Sequence, residues 1–199
     1  MGKTVTYFLT PQSPWVYLGH ARLAALARDK GAEIDIKPFD LGKVFSVSGG
    51  LPLSKRAPQR QSYRLLEMAR WAAHLNLPLN PQPKFFPVPP EQASKLIIAA
   101  RTSLGADVAM DLAGAILRAL WAEEKNIADD ATLVRVADLC GLDGRMLLKS
   151  ADTAGVQDQL DKNTDDAIAA NVFGAPWYIV DAEPFWGQDR LDFVERALG

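Results

Sequence analysis

Three short stretches hold residue types that could do chemistry together. The first is Ser13-Pro14-Trp15, set between the apolar run TVTYFL (residues 4–9) and an amphipathic one. Serine is a favoured helix N-cap and proline a favoured first helical residue. The serine hydroxyl therefore stands at the positive end of a helix, beside N–H groups that lack an intrahelical partner. Such a place holds anions and lowers the pKa of a thiol brought to it. A serine hydroxyl would donate a hydrogen bond to the resulting thiolate. The only cysteine, Cys140, lies far along the sequence from this turn, so that thiol would come from a cofactor. Ser13 also has a plainer reading, as a helix cap and nothing more. The second stretch is Gly174-Ala175-Pro176, at the mouth of an apolar run; an ordinary trans proline there would merely open an edge strand. The third is Gln188-Asp189, where a last helical pattern begins. Backbone N–H groups there can hold a carboxylate, and the aspartate can pair with an ammonium group. Acidic residues in a first helical turn also serve simply as dipole partners.

The elements that must position these residues follow from periodicity. TVTYFL is β-branched and aromatic and stops at Pro11, as a strand does. From Pro14 to about Lys30 the spacing of Leu18, Leu23, Leu26 and Ala27 predicts a helix, with Gly31 as its stop. AEIDIKPF (residues 32–39) alternates and predicts a second strand, parallel to the first and beside it. From about residue 57 to residue 170 almost every pattern is helical: residues 57–77, 90–105, 107–126, 129–142 and 154–172. Asp129 or Asp130 can cap the fourth of these and Gly141 can end it. Residues 77–90 carry six prolines and must be an irregular connection. Then PWYIVD and EPFWG predict a hairpin turning at Asp181-Ala182, and QDRLDFVERALG a terminal helix.

The order β-α-β, helices, β-β-α is that of an α/β thioredoxin-like fold with a large all-helical insertion. It divides the chain into a discontinuous thioredoxin-like domain, residues 1–42 and 171–199, and a helical insertion, residues 43–170. Thioredoxin-like proteins share a cis-proline that opens the third strand and faces the active-site turn, and Ala175-Pro176 stands in that position. The redox cysteines that such proteins carry at the first turn are replaced here by Ser13 and Val16, which excludes disulfide exchange there. A thiolate pocket, a backbone edge freed by a cis-proline, and a corner for an ammonium and a carboxylate together match the parts of glutathione.

Composition narrows the classes further. The 199 residues suit one domain, or a domain with a large insertion, and the 48% apolar content is ordinary for a globular core. A net charge of −2, from 22 basic and 24 acidic residues, leaves no footprint for nucleic acid or anionic lipid. No long apolar span and no signal-peptide pattern occurs, so no membrane partner and a cytoplasmic location are expected. One cysteine excludes an internal disulfide, and with His20 and His74 the only histidines, no metal site is expected. Cys140 reads as a packing residue. Trp71, Trp121, Trp177 and Trp186 are assigned to the core and Trp15 to the wall of the site.

SPWVYLG near the start, VFGAPWYIVD and FWGQDRLDFV near the end, and QSYRLLEMARWAAHLNLPL with FFPV in the middle resemble 2-hydroxychromene-2-carboxylate isomerases. These are relatives of kappa-class glutathione transferases with a DsbA-like fold. The resemblance spans nearly the whole chain. It implies a glutathione-dependent homodimer that interconverts 2-hydroxychromene-2-carboxylate with trans-o-hydroxybenzylidenepyruvate in the breakdown of naphthalene and related aromatics. It implies that Ser13 faces the glutathione sulfur, that Ala175, before Pro176, pairs with the cysteinyl backbone, and that Gln188 and Asp189 hold the γ-glutamyl end. The substrate, a small aromatic carboxylate, would lie near Trp15 and Arg60; Lys55, Arg56 and Arg60 form the nearest basic cluster, which also reads as a solvated face. Two loops depart from the family pattern. Gly49-Gly50-Leu51-Pro52-Leu53 stands where relatives often read GN-x-PP, and Phe86-Pro87-Val88-Pro89 where they often read FP-x-N. Two other readings remain: a kappa-like transferase or peroxidase using the same cofactor residues, and a thioredoxin-like module that only binds peptides.

Overall fold

The structure, a computed structural model, describes residues 2–199. Strand β1 (Thr4–Leu9), helix α1 (Pro14–Lys30) and strand β2 (Glu33–Pro38) form a right-at-the-start β-α-β unit with β1 and β2 parallel and paired from Thr4 with Glu33 to Leu9 with Pro38. Strands β3 (Trp177–Val180) and β4 (Glu183–Trp186) return after the helices and complete a four-stranded sheet in the order β2-β1-β3-β4. β3 runs antiparallel to both β1 and β4. A 3-10 turn (Gln188–Arg190) and helix α9 (Leu191–Leu198) end the chain. The final helical pattern thus begins as a 3-10 turn at the two residues expected to hold a ligand.

Alternation along the strands assigns the two sheet faces. Tyr7 and Tyr178, partners across β1 and β3, stack with ring centroids 5.4 Å apart and point to α1, where Tyr7 meets His20. Met110 offers a carbonyl 2.9 Å from His20 Nε2, so that nitrogen carries the proton and donates, while Nδ1 accepts from the Tyr7 hydroxyl at 3.2 Å. Burial lowers the His20 pKa, which keeps the ring neutral and this polar cluster consistent with its site.

The other sheet face carries Phe8 and Lys37, and helix α8 (Ala154–Ala169) covers it. Lys37 Nζ reaches Asp166 Oδ2 at 2.8 Å, Asn163 Nδ2 donates to the Pro38 carbonyl at 2.9 Å, and the Asp40 N–H donates to Thr164 Oγ1 at 3.0 Å. The expected division at residue 170 runs through these contacts: α8 lies on the sheet. Between β2 and α8 come α2 (Leu41–Ser48), a 3-10 turn (Leu53–Lys55), α3 (Pro58–His74), α4 (Glu91–Leu104), α5 (Ala106–Trp121), α6 (Asp130–Leu139) and α7 (Gly144–Ala151). Helices α2 and α7 lie outside the helical patterns read from the sequence. Asp40 caps α2 by accepting from Gly42 and Lys43, and Asp143 caps α7 by accepting from Met146. Residues 77–90 are irregular as expected, and they are pinned at two points: Tyr17 donates to the Pro78 carbonyl at 2.6 Å and the Asn80 N–H to that of Trp121 at 2.8 Å. One continuous apolar core joins the sheet to the helices.

Candidate active site

The end of β1 sets the first functional group. Ser13 takes an extended conformation, its N–H donates to the Thr10 carbonyl at 3.0 Å, and its Oγ accepts from the Val16 N–H at 3.3 Å. It is therefore a true N-cap of α1. The next donors divide unevenly. Pro14 has none, the Val16 N–H goes to Ser13 Oγ, and the Tyr17 N–H goes to the Ser13 carbonyl at 3.1 Å. The Trp15 N–H remains, without a helical acceptor behind it. The Ser13 hydroxyl proton points elsewhere, to the Ala175 carbonyl at 3.4 Å, a long and weak bond that a better acceptor would displace.

Ala175 is itself buried, and the Ala175–Pro176 bond is cis, as expected. A Cβ added at Gly174 would lie 2.5 Å from Nε1 of Trp186, so only glycine lets that indole lie against the chain here. Gly187 has φ of 104°, a left-handed conformation that suits glycine. It hands β4 to the turn that carries Gln188 and Asp189. Gln188 is buried with its side chain turned to α1: Arg22 Nη1 donates to its Oε1 at 2.9 Å and to its carbonyl at 3.1 Å. Its amide oxygen is thus committed to fastening this turn onto α1. The Asp189 carboxylate is exposed and accepts from Arg190 Nη1 at 2.7 Å.

A cavity of about 890 Å³ connects these groups. Ser13, Trp15, Ala175, Gln188, Asp189 and Arg60 all line it; Pro176 does not. The helical side contributes residues that sequence reasoning passed over: Phe45 from α2, and Tyr63, Arg64 and Trp71 from α3. Trp71 and Trp186, assigned to the core, line the cavity instead, while Trp121 and Trp177 are buried as expected. Of the basic cluster, Arg56 and Arg60 line the cavity and Lys55 does not. Arg64 had a visible signal, since it falls in step with Met68 and Ala72 on the buried stripe of α3, and a charge on an apolar stripe asks for a reason. Cys140 is half-buried past the end of α6, with its thiol pKa raised mainly by burial. Among the described residues no group of three or more His, Cys, Asp or Glu side chains could hold a metal, and no helix is long and apolar enough to cross a membrane.

The profile of the DsbA-like thioredoxin domain matches residues 4–199. A 2-hydroxychromene-2-carboxylate isomerase of Sphingobium xenophagum is 30% identical over 199 residues, covering 100% of this chain and 99% of that protein. The chain belongs to the DsbA-like thioredoxin family, among the 2-hydroxychromene-2-carboxylate isomerases. A solved 2-hydroxychromene-2-carboxylate isomerase superimposes with a TM-score of 0.85 at 25% identity, over 98% of this chain and 94% of that one. A kappa-class glutathione transferase of Caenorhabditis elegans is 29% identical over 98% of this chain and 92% of its own length.

Within this family the first unusual loop has a physical reason. A side chain at position 50 would collide with the ring of Phe45, which itself lines the cavity. The Phe45 ring occupies the space that any side chain at position 50 would enter. In the second loop Phe86 and Pro87 line the cavity, joined by a second cis bond, whereas Pro89 is exposed and outside it.

Proposed function

We propose that this protein is a glutathione-dependent isomerase that interconverts 2-hydroxychromene-2-carboxylate and trans-o-hydroxybenzylidenepyruvate. The observation that carries this reading is the Ser13 hydroxyl at the open N-terminus of α1, with its Oγ 3.4 Å from a carbonyl oxygen it can abandon and a cavity of about 890 Å³ in front of it. That volume falls in the range of small-molecule sites. The relatives named 2-hydroxychromene-2-carboxylate isomerase and kappa-class glutathione transferase support this choice of substrate and tripeptide.

The residues fit glutathione. Bound there, it supplies a thiolate nucleophile for a conjugated carbon, which makes a rigid double bond rotatable. Ser13 Oγ–H and the Trp15 N–H are the donors that hold this anion, aided by the helix dipole. Ala175 offers its backbone to an extended peptide. Asp189 takes an ammonium group in exchange for its exposed pair with Arg190, and an exposed ion pair is worth at most about 1 kcal/mol, so the exchange costs little. Gln188 contributes by holding this turn on α1 through Arg22, so its part is placement of the backbone.

Binding to the native state alone raises the melting temperature, by about 2.7 kcal/mol of stabilisation at a hundred times the dissociation constant. Melts in rising reduced glutathione are expected to climb accordingly, and the interconversion followed by absorbance is expected to need glutathione. Melts that overlay at all concentrations would remove the cofactor from this account. Accumulation of a stable glutathione conjugate in place of the isomer would favour transferase chemistry, the activity named for the kappa-class relative.

A further inference from the structure

Arg64 is an arginine without an anion. It is 9% exposed, on the buried stripe of α3, and its guanidinium stacks on Phe86 at 5.0 Å and Trp121 at 5.8 Å from the ring centroids. Among the described residues no carboxylate pairs with it. The one acid beside it on the cavity wall, Glu67, is engaged by Arg70 at 2.9 Å and by the Tyr63 hydroxyl. Arg56 also lines the cavity, half-buried, with its Nε fixed on the Leu51 carbonyl at 2.8 Å, and it too has no carboxylate partner. Burial and the neighbouring Arg56 charge push the Arg64 pKa down to about 10, and burial with Arg60 lowers that of Arg56. Three like charges on one wall, one of them buried, are costly to hold unless an anion joins them.

Arg64 also borders a smaller cavity of about 420 Å³. Among the described residues no other charged side chain lines that space, whereas Arg56 and Arg60 line the large cavity. The positive potential therefore gathers in the large one. Phe86, Trp71 and Tyr63 line the same cavity and offer flat apolar surface beside the charge. Aromatic rings next to a rigid, bidentate donor suit a planar conjugated acid.

We propose that Arg64, supported by Arg56, is the receptor for the carboxylate of a planar conjugated substrate, and so sets the preference of the site for acids over their neutral esters. Its enzymatic meaning rests on the isomerase reading above; the binding itself does not. Arg64 is a specificity residue for the substrate, separate from the groups around Ser13 that would face the cofactor.

The experiment uses trans-cinnamate, an unreactive planar acid, and methyl trans-cinnamate as probes, titrated calorimetrically into the whole protein with and without glutathione. Wild type is expected to bind the acid at least about tenfold more tightly than the ester, the worth of a charge-assisted hydrogen bond. Arg64→Met, which keeps bulk and helix propensity, is expected to lose that preference while binding the ester as before, and Arg64→Lys to recover part of it. Equal affinity of wild type for acid and ester, or an Arg64→Met variant that still prefers the acid, overturns the proposal. The acid-to-ester ratio of wild type decides even where a variant fails to fold. A protein whose melting ignores glutathione but which binds cinnamate through Arg64 would overturn the isomerase reading and leave this inference standing.

Discussion

The two walls of the cavity are built on different physical terms. The sheet-side wall, from Ser13 to Trp15 and from Gly174 to Asp189, is made of backbone: an N-cap, a cis peptide, two glycines and a turn fastened to α1 by Arg22. Its hydrogen bonds are mostly satisfied, and the donors left over are few and aimed. The helical wall, from Phe45 to Trp71, is made of side chains: rings and three arginines that no carboxylate pairs with among the described residues. A wall of fixed backbone suits a ligand that never changes, such as a cofactor. A wall of side chains can be rebuilt residue by residue and suits a ligand that differs between relatives. Perturbing one wall should therefore move the chemistry of the cofactor, and perturbing the other the choice of substrate.

The largest effect is expected at Ser13. Ser13→Ala removes one charge-assisted hydrogen bond to a thiolate, worth roughly 1.5–3 kcal/mol, while the α1 dipole and the Trp15 N–H stay. Turnover at neutral pH should fall by about tenfold to a hundredfold. The hydrogen bond favours the charged form and so lowers the thiol pKa; without it the bound thiol titrates at higher pH, and activity recovers in part on the alkaline side. The lost cap costs about 1 kcal/mol of stability as well, so the thiolate absorbance is to be read on protein shown to be folded. An unchanged titration and turnover would leave Ser13 as a cap and dissolve the contrast between the walls.

A smaller effect is expected at Trp71. An aromatic contact is worth about 0.5–1.5 kcal/mol beyond the area it buries, so Trp71→Ala should raise KM for the aromatic acid about two- to tenfold. kcat and the melting shift caused by glutathione should stay near wild type. A lost glutathione shift with an unchanged KM would show that the walls share one ligand. Trp71 also marks where reading the sequence ran out. Ser13 and Gly31 were legible because caps are local: residue type and position define them, and they cap and end α1 as read, while of the two candidates Asp129 and Asp130 it is Asp129 that caps α6. The parallel β1–β2 pair and the β3–β4 hairpin were legible from the local pattern of strand, crossover and turn, whereas the pairing of β1 with β3 joins segments far apart in sequence. Which tryptophans reach the cavity depends on how α3 lies against the sheet, and no pattern within α3 states that. Helix α2 was missed because Gly42, two valines and two serines give it little helical propensity; its Asp40 cap and the Lys43 bond to Asp161 at 2.7 Å on α8 support it. Helix α7 begins at Gly144, where any side chain would collide with the Val134 carbonyl of α6, so it is fixed by packing that a short sequence window cannot show.

The smallest effect is expected at the far end of the sheet-side wall, and it tests whether that wall is stiff as a unit. The β3–β4 turn places Asp181 at φ of 49° and Ala182 at 69°. Two successive left-handed residues make the turn that matches the twist of a two-residue hairpin. Alanine is the wrong residue there, because its Cβ crowds the carbonyl at a cost of about 1–2 kcal/mol, part of which glycine returns in unfolded-state entropy. Ala182→Gly should thus stabilise the protein by about 0.5–1 kcal/mol, read as a higher denaturant midpoint at constant slope. The turn joins the strand ends away from Pro176 and Gly187, the length of β3 from the cavity. If β3 and β4 hold the cavity wall by their ladder alone, relief of strain at the turn leaves glutathione affinity and the acid preference where they were. A gain in stability accompanied by weaker glutathione binding would mean that the strained turn helps to set Gly187 and Asp189, and that the backbone wall is held under tension from its opposite end.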